Sequence, residues 1–328
     1  MKLGQQQGGV ALIVVLLIVA LVSILATEMG SRLQLQVKRA SNIKENNQAY
    51  WYAVGAEQYA RKSIKLLVAA ADGVIHLNQP WAQQFAYPIE GGGIEAELVD
   101  LQACFNLNGL REKTASANPG ERSPELKERL EAFNRLLGFV EPEIPEYTRE
   151  TVRDSLADWL DADDFVSGLG AEDSEYESRQ FPYMAANTML ANVSELRMVN
   201  GVEVAWLLPL QAWLCAIPGF DLLQVNVNTV SEDNAAVVAA LANISVSDAK
   251  NILGNRPQDG FQAAADFLAE PVVAAASLSA EQQTWFNVTT QYFMLRTRSH
   301  YNNASFTMRT VFKVDNQNVS VVSREFGG

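Results

Sequence analysis

The sequence predicts an α+β fold in which a long N-terminal helix and two strand-rich segments bracket a large inserted all-α domain. Three observations carry this. Residues 27 to 67 contain no proline, the first being Pro80, and they follow directly on an apolar run. Strand-like patterns occur at about 75–108 and 284–327. Between them, residues 112–280 carry helix-start signals and apolar residues at helical spacing.

Composition supports a folded chain and narrows its function. The 328 residues are 48% hydrophobic and 19% charged, ordinary values for a globular protein with room for two folded parts. With 38 acidic against 25 basic residues the net charge is -13, which repels phosphate backbones and argues against nucleic-acid binding. The acidity is concentrated: residues 141–177 hold thirteen Asp or Glu against Arg149 and Arg153. His76 and His300 sit in no metal-ligand pattern, and no GxSxG motif, Cys–His pairing or phosphate-binding glycine loop is present. Six acids bunched on one loop also differ from the two separated carboxylates of a glycoside hydrolase. No enzymatic activity is expected.

The first element begins with seventeen residues, Val10 to Ala26, broken only by Ser23. In a helix this run spans roughly 25 Å, close to a hydrocarbon core. A cleaved signal peptide fits poorly, because Ile24 occupies the place where a small residue is needed before Ala26. Apolar residues continue in helical phase at Leu33, Val37, Ala40, Ile43, Trp51, Val54, Ile64 and Leu67, so one helix should leave the membrane and enter the folded body. Gly30 and Gly55 weaken it by about 1 kcal/mol each.

After this helix, "GGGIEAELVDLQACFNLNGL" (91–110) alternates like a strand behind a glycine turn. "SPELKERLEAFNRLLGFV" starts a helix with Ser123 as cap and Pro124 in the first turn. "TRETVRDSLADWL" follows, with Val152, Leu156 and Trp159 on one face. Residues 225–268 read as paired short helices capped by Ser231 and Ser247, with Gly260-Phe261 before a final helix. This stretch resembles helix-hairpin-helix DNA-binding repeats, but its "NISVSD" hairpin has neither glycine nor a basic residue for phosphate. Three β-rich runs then end the chain, joined by "NN" and "DNQN" turns, as an antiparallel meander.

A short polar leader ending in glycine, followed at once by an apolar helix, resembles the class III leader of type IV pilins and pseudopilins. Within that family the chain resembles the K-type minor pseudopilins of type II secretion systems, over nearly its whole length. The resemblance rests on the leader, on "FNLN" (105–108), on the large helical insertion, and on an acidic loop ahead of "SELRMV" (194–199). It also rests on Val14, which stands at the fifth mature position where most pilins carry glutamate. That glutamate neutralises a neighbour's buried terminal amine, so its loss suits a tip subunit with nothing stacked above it.

The resemblance implies a pilin-like fold whose sheet packs on the globular half of the long helix. It implies cleavage between Gly9 and Val10 by a prepilin peptidase with methylation of the new N-terminus; cutting after Gly8 is the second register. The expected division is a leader (1–9), a transmembrane and filament-core helix (10–30), a first pilin-like part (31–111), the helical insertion (112–280) and C-terminal strands (281–328). The chain would sit in the inner membrane by one span with its body in the periplasm. Its partners would be the I- and J-type minor pseudopilins, with exoproteins or the outer-membrane channel facing the helical domain. The aromatic cluster in "YWYAVGAEQYA" (50–60) serves either those partners or the chain's own sheet.

In that compartment Cys104 and Cys215 are expected to pair, the alternative being two buried free thiols. The acidic loop is expected to hold structural calcium, because flexible hard-oxygen ligands suit that ion, and K-type pseudopilins are similar here. The candidate ligands are Asp161, Asp163, Asp164, Glu172 and Asp173, without an EF-hand: Phe165 and Val166 occupy the fifth place and the glycine place of that loop. The alternative is a solvated acidic loop. Two other functions remain open: a minor pilin of a type IV pilus or competence system, and a secreted calcium-binding protein.

Overall fold

The computed structural model describes residues 8–70, 73–112, 120–316 and 318–327. Leader residues 1–7 lie outside the described residues. In chain order the elements are α1 (Gly8–Ala70), β1 (Phe85–Ile89), β2 (Gly92–Asp100), β3 (Phe105–Asn106), α2 (Pro124–Val140), α3 (Glu146–Leu160), α4 (Asp173–Glu177) and α5 (Val204–Leu210). Then follow β4 (Leu214–Cys215), β5 (Val225–Asn226), α6 (Ala235–Ala242), α7 (Val246–Gly254), α8 (Ala264–Leu268), α9 (Pro271–Ala275), α10 (Ala280–Gln283), β6 (Phe286–Asn287), β7 (Tyr292–Tyr301), β8 (Ala304–Asp315) and β9 (Asn318–Phe326).

At 63 residues, α1 is about 95 Å long. Its buried face is set by small residues: Ala49, Ala53, Ala56 and Ala60, ending at Ile64. These let the helix lie close on the sheet, where Ser299 Oγ donates to the Ala49 carbonyl at 2.6 Å. Of the expected stripe, Ile64 and Leu67 join this core and Val54 is half-buried. Leu33, Val37 and Ile43 are exposed, because the helix from Gly9 to Lys44 runs free of the body, and Trp51 lies on the outer side of the packed part. The aromatic cluster divides instead. Tyr50 meets Phe306 and Phe326, Tyr52 meets Tyr301 and Tyr59 stacks on Phe85, while Trp51 points outward.

The five-stranded sheet has the order β1-β2-β7-β8-β9 and is antiparallel throughout, with a bulge at Val311/Phe312. The C-terminal meander thus forms as its turn signals require, with Asn302 and Asn316 supplying the left-handed turn residues. The helical domain enters after β2 and returns before β7, and these two strands are hydrogen-bonded neighbours.

Here three boundaries differ from expectation. The strand-like run 91–110 ends at Asp100, because the Asp100 carboxylate accepts from the Gln102 backbone N–H and turns the chain. Phe105, Leu107 and Leu110 then belong to the helical domain's core, as do Trp285 and Phe286, so this domain reaches beyond both 112 and 280. Gly260-Phe261 does precede a helix, α8, and the short helices α9 and α10 follow beyond 268.

Within the helical domain, Ser123 caps α2 by accepting from Leu126 N, and Val152 and Leu156 are buried on α3 with Trp159. Every residue of α6 is buried, as its uniformly apolar sequence demands. Asn243 ends α6 in the left-handed conformation (φ 52), which leaves Ser245 rather than Ser247 as the cap of α7. The Cys104–Cys215 disulfide is formed, with Cα atoms 5.8 Å apart, and ties the domain's entry to β4.

The junction is polar at its centre. Asp100 Oδ2 accepts from Thr229 Oγ1 at 2.6 Å, Thr290 Oγ1 at 2.5 Å and Asn226 Nδ2 at 3.3 Å, and Asn226 also donates to the Ile75 carbonyl at 3.0 Å. Burial pushes the Asp100 pKa up to about 6 even though all its donors act in the opposite direction.

Candidate metal centre

The acidic centre is built on the last turns of α3. Asp154, Asp158 and Asp161 recur at spacings of four and three and therefore share one helix face. The chain then loops out and returns so that Glu172 stands just ahead of α4. Asp158, Asp161 and Glu172 each bring one carboxylate oxygen within 4.8 Å of the others. Asp158 and Glu172 are buried and Asp161 half-buried.

Two glycines allow the return. Gly168 has φ +62, and a Cβ on Gly170 would stand 1.8 Å from Asp158 Oδ2. The loop's amides use that closeness: Ser167 N donates to Asp158 Oδ2 at 3.2 Å and Leu169 N to Asp154 Oδ2 at 2.9 Å. Arg122 seals the inner side. Its Nη1 donates to Asp154 Oδ1 at 2.6 Å, and its Nη2 to Asp158 Oδ1 at 2.9 Å and to the Ser167 carbonyl at 2.9 Å.

Charge is balanced around Asp154 but not around Glu172. Burial acts against the Asp154 carboxylate, yet hydrogen bonds from Arg153 and Leu169 and the Arg122 charge hold its pKa below the ordinary range. Burial raises Asp158 to about 6 against the pull of Arg122. Asp161 rises to about 7 through burial and then the charges of Asp163 and Asp158. Glu172 rises to about 8 through burial, followed by repulsion from Asp158, Asp161, Asp164 and Asp173. Both Glu172 oxygens are buried without a hydrogen-bond partner. A buried carboxylate with two orphaned oxygens, facing two more carboxylates, has the donor set of a hard cation site.

The five expected ligands separate into two groups. Asp161 and Glu172 meet at the centre, joined by Asp158. Asp163, Asp164 and Asp173 have other partners. Asp163 Oδ1 accepts from Phe165 N at 3.0 Å, Asp164 Oδ1 from Asn187 Nδ2 at 3.1 Å and Asp173 Oδ1 from Ala185 N at 2.8 Å. The last two contacts strap segment 185–187 to the acidic loop. Sequence reading passed over Asp158 as a ligand, although its spacing from Asp161 places it on the same face. It had no local signal for Arg122, which lies 36 residues before Asp158.

The second functional element is the bare part of α1. Among the described residues α1 alone is long and apolar enough to cross a membrane, and it is a candidate anchor.

The chain is similar to known proteins over nearly its whole length. Two family models described as type II secretion system (T2SS), protein K match residues 103–219 and 225–289. The type II secretion system protein K of Aeromonas hydrophila is 34% identical over 99% of this chain and 98% of its own length. That of Klebsiella pneumoniae is 32% identical, over 99% and 98%. A chain in the crystal structure of the GspK-GspI-GspJ complex from enterotoxigenic Escherichia coli superposes with a TM-score of 0.77 at 31% identity, covering 88% of this chain and 99% of that one. With its pilin-like helix and sheet and its inserted helical domain, the chain belongs to the type II secretion system protein K family and is a minor pseudopilin of that system.

Proposed function

We propose that this pseudopilin is the tip subunit of a periplasmic filament, assembled on I- and J-type minor pseudopilins, and that it starts assembly without turning over a substrate. The observation that carries this reading is the bare stem: α1 is exposed from Gly9 to Lys44, and Val14 stands where a stacked pilin needs glutamate. The apolar part of this rod, Val10 to Ala26, must be covered, first by lipid and then by the stems of other subunits. A relative of this chain occurs in a complex with GspI and GspJ, which supports the choice of partners. Cleavage after Gly9 by prepilin peptidase, with methylation of Val10, would leave the stem joined to the body. The body would then lie in the periplasm, its helical domain turned toward the outer-membrane channel or an exoprotein.

In this reading calcium is structural, held by Asp158, Asp161 and Glu172 with further oxygens from the loop. It would offset the charge that otherwise keeps Asp161 and Glu172 protonated near neutrality. The test is co-expression of the tagged full chain with the I- and J-type subunits of the same machine, followed by purification in detergent. A stable complex of all three is expected, and recovery of this chain alone would overturn the assignment.

A further inference from the structure

The sheet has a second face, turned away from α1, on which the charge pattern is unlike the rest of the molecule. β7 places Arg296 and Arg298 there, and β8 places Thr307 and Arg309 beside them. The register sets Arg296 directly opposite Arg309, Glu97 opposite Arg296 and Glu95 opposite Arg298. Like charges directly opposite on neighbouring strands are destabilising, so this pair of arginines is a cost to the fold.

The nearby carboxylates do little to relieve it. Glu97 reaches Arg296 only at 3.6 Å, with both side chains about half exposed. Glu325, which faces Arg309 across the β8–β9 ladder, instead accepts at 2.8 Å from Asn192 of the helical domain. Among the described residues Arg298 and Arg309 have no ion-pair partner. The three guanidinium groups line a concavity of about 600 Å³ together with Glu95, Glu97 and Thr307.

The geometry points to this face as a docking surface for an acidic segment of a partner protein. Guanidinium forks take carboxylates two hydrogen bonds at a time, and three of them within one concavity match a segment carrying several Asp or Glu. Such a pairing would convert the Arg296–Arg309 repulsion into a favourable contact. The membrane is too distant to be the anion. Ser299, at the membrane-proximal end of this strand pair, meets α1 at Ala49, 23 residues beyond Ala26. That distance is roughly 35 Å along the helix, several times the screening length of about 8 Å at physiological salt.

The test uses the full chain in zwitterionic nanodiscs and a fluorescent hexaglutamate peptide, read by anisotropy. Saturable binding that weakens with salt is expected, and Arg298→Gln/Arg309→Gln should weaken it about tenfold. Lys62→Gln/Lys65→Gln removes the same charge from exposed positions on α1 and should leave binding unchanged. Independently of any variant, saturating hexaglutamate should protect Arg298 and Arg309 of the unaltered chain from phenylglyoxal while Arg39 stays reactive. Failure of hexaglutamate to bind, an equal loss in the lysine variant, or unprotected Arg298 and Arg309 would each overturn the proposal. Selective binding of phosphatidylglycerol vesicles through the arginines would also overturn it, by making lipid the anion.

Discussion

Arg324, on the last strand, closes on Glu57 of α1 with Nε 2.5 Å from Oε2 and Nη2 2.9 Å from Oε1. The Glu57 carboxylate is wholly buried and Arg324 is 44% exposed, so the carboxylate bears the desolvation. Thr310 Oγ1 adds a third donor at 3.2 Å. Arg324→Met would leave a buried charge with two neutral partners, Thr310 and Gln58, and should cost about 2–3 kcal/mol, below the range for fully buried pairs because the arginine keeps solvent contact. The Arg324 hydrogen bond holds the Glu57 pKa below 4.5 against burial. The pair's contribution is therefore present above that value and lost as pH falls through the folded-state pKa. Thermal melts should show the gap between wild type and variant narrowing in acid, and a gap that persists unchanged would refute the account.

Asp100 predicts the opposite slope. Its folded pKa of about 6 lies above the ordinary 3.8, so the folded state keeps a proton that the unfolded chain releases. Its contribution is fully present below 3.8 and falls as pH rises to about 6, by on the order of 3 kcal/mol. Asp100→Asn does not titrate, so the melting temperature of wild type minus that of the variant should decrease between pH 4 and 7. A difference that does not change with pH would count against a buried, protonated Asp100.

Calcium should raise the melting temperature of the full chain in detergent, with chelator reversing the rise. Glu172→Gln should weaken that response by at least about tenfold in calcium concentration, through loss of a charged ligand. Gly170→Ala should disturb the loop even without calcium, since its Cβ would fall 1.8 Å from Asp158 Oδ2. Identical melts with calcium and with chelator would remove the ion from the proposal.

The disulfide closes a loop of 111 residues around most of the helical domain. Chain-entropy arguments assign such a crosslink about 4.7 kcal/mol at most. Cys104→Ser/Cys215→Ser should therefore melt several degrees lower than the oxidised chain, and treatment with reductant should bring wild type to the same value. Coincident melts of oxidised and reduced wild type would contradict this.

Processing can be read directly by mass. Protein recovered from cells with an active prepilin peptidase should begin at methylated Val10. A start beyond residue 26 would instead show that the stem is discarded, and with it the filament role.

Local chemistry made much of the fold legible. Ser123 before Pro124, the alternation in β7, β8 and β9, and the asparagine turns each act within a few residues. The buried face of α1 was harder to see, because alanine carries little weight in a hydrophobic pattern and yet is the residue that permits close helix–sheet contact. Larger residues such as Leu33 and Val37 dominated the pattern but lie where there is no sheet. Ser245 and Ser247 are equivalent to a cap rule, and only the left-handed Asn243 selects between them. The acidic centre was half visible for a similar reason. Asp161 and Glu172 stand in the dense run, whereas the role of Arg122 depends on the fold bringing α3 beneath the segment ahead of α2.

Because Asp100 and Phe293 are paired neighbours, the whole helical domain leaves from and returns to adjacent points on one sheet. The filament subunit therefore carries its distal domain as cargo on a hairpin. A tight turn in its place would leave every strand of the sheet in its present register. Size and shape away from the sheet are thereby uncoupled from strand register, and an exchanged domain would need to match only the contacts at the junction, such as Asn192–Glu325 and Thr229–Asp100.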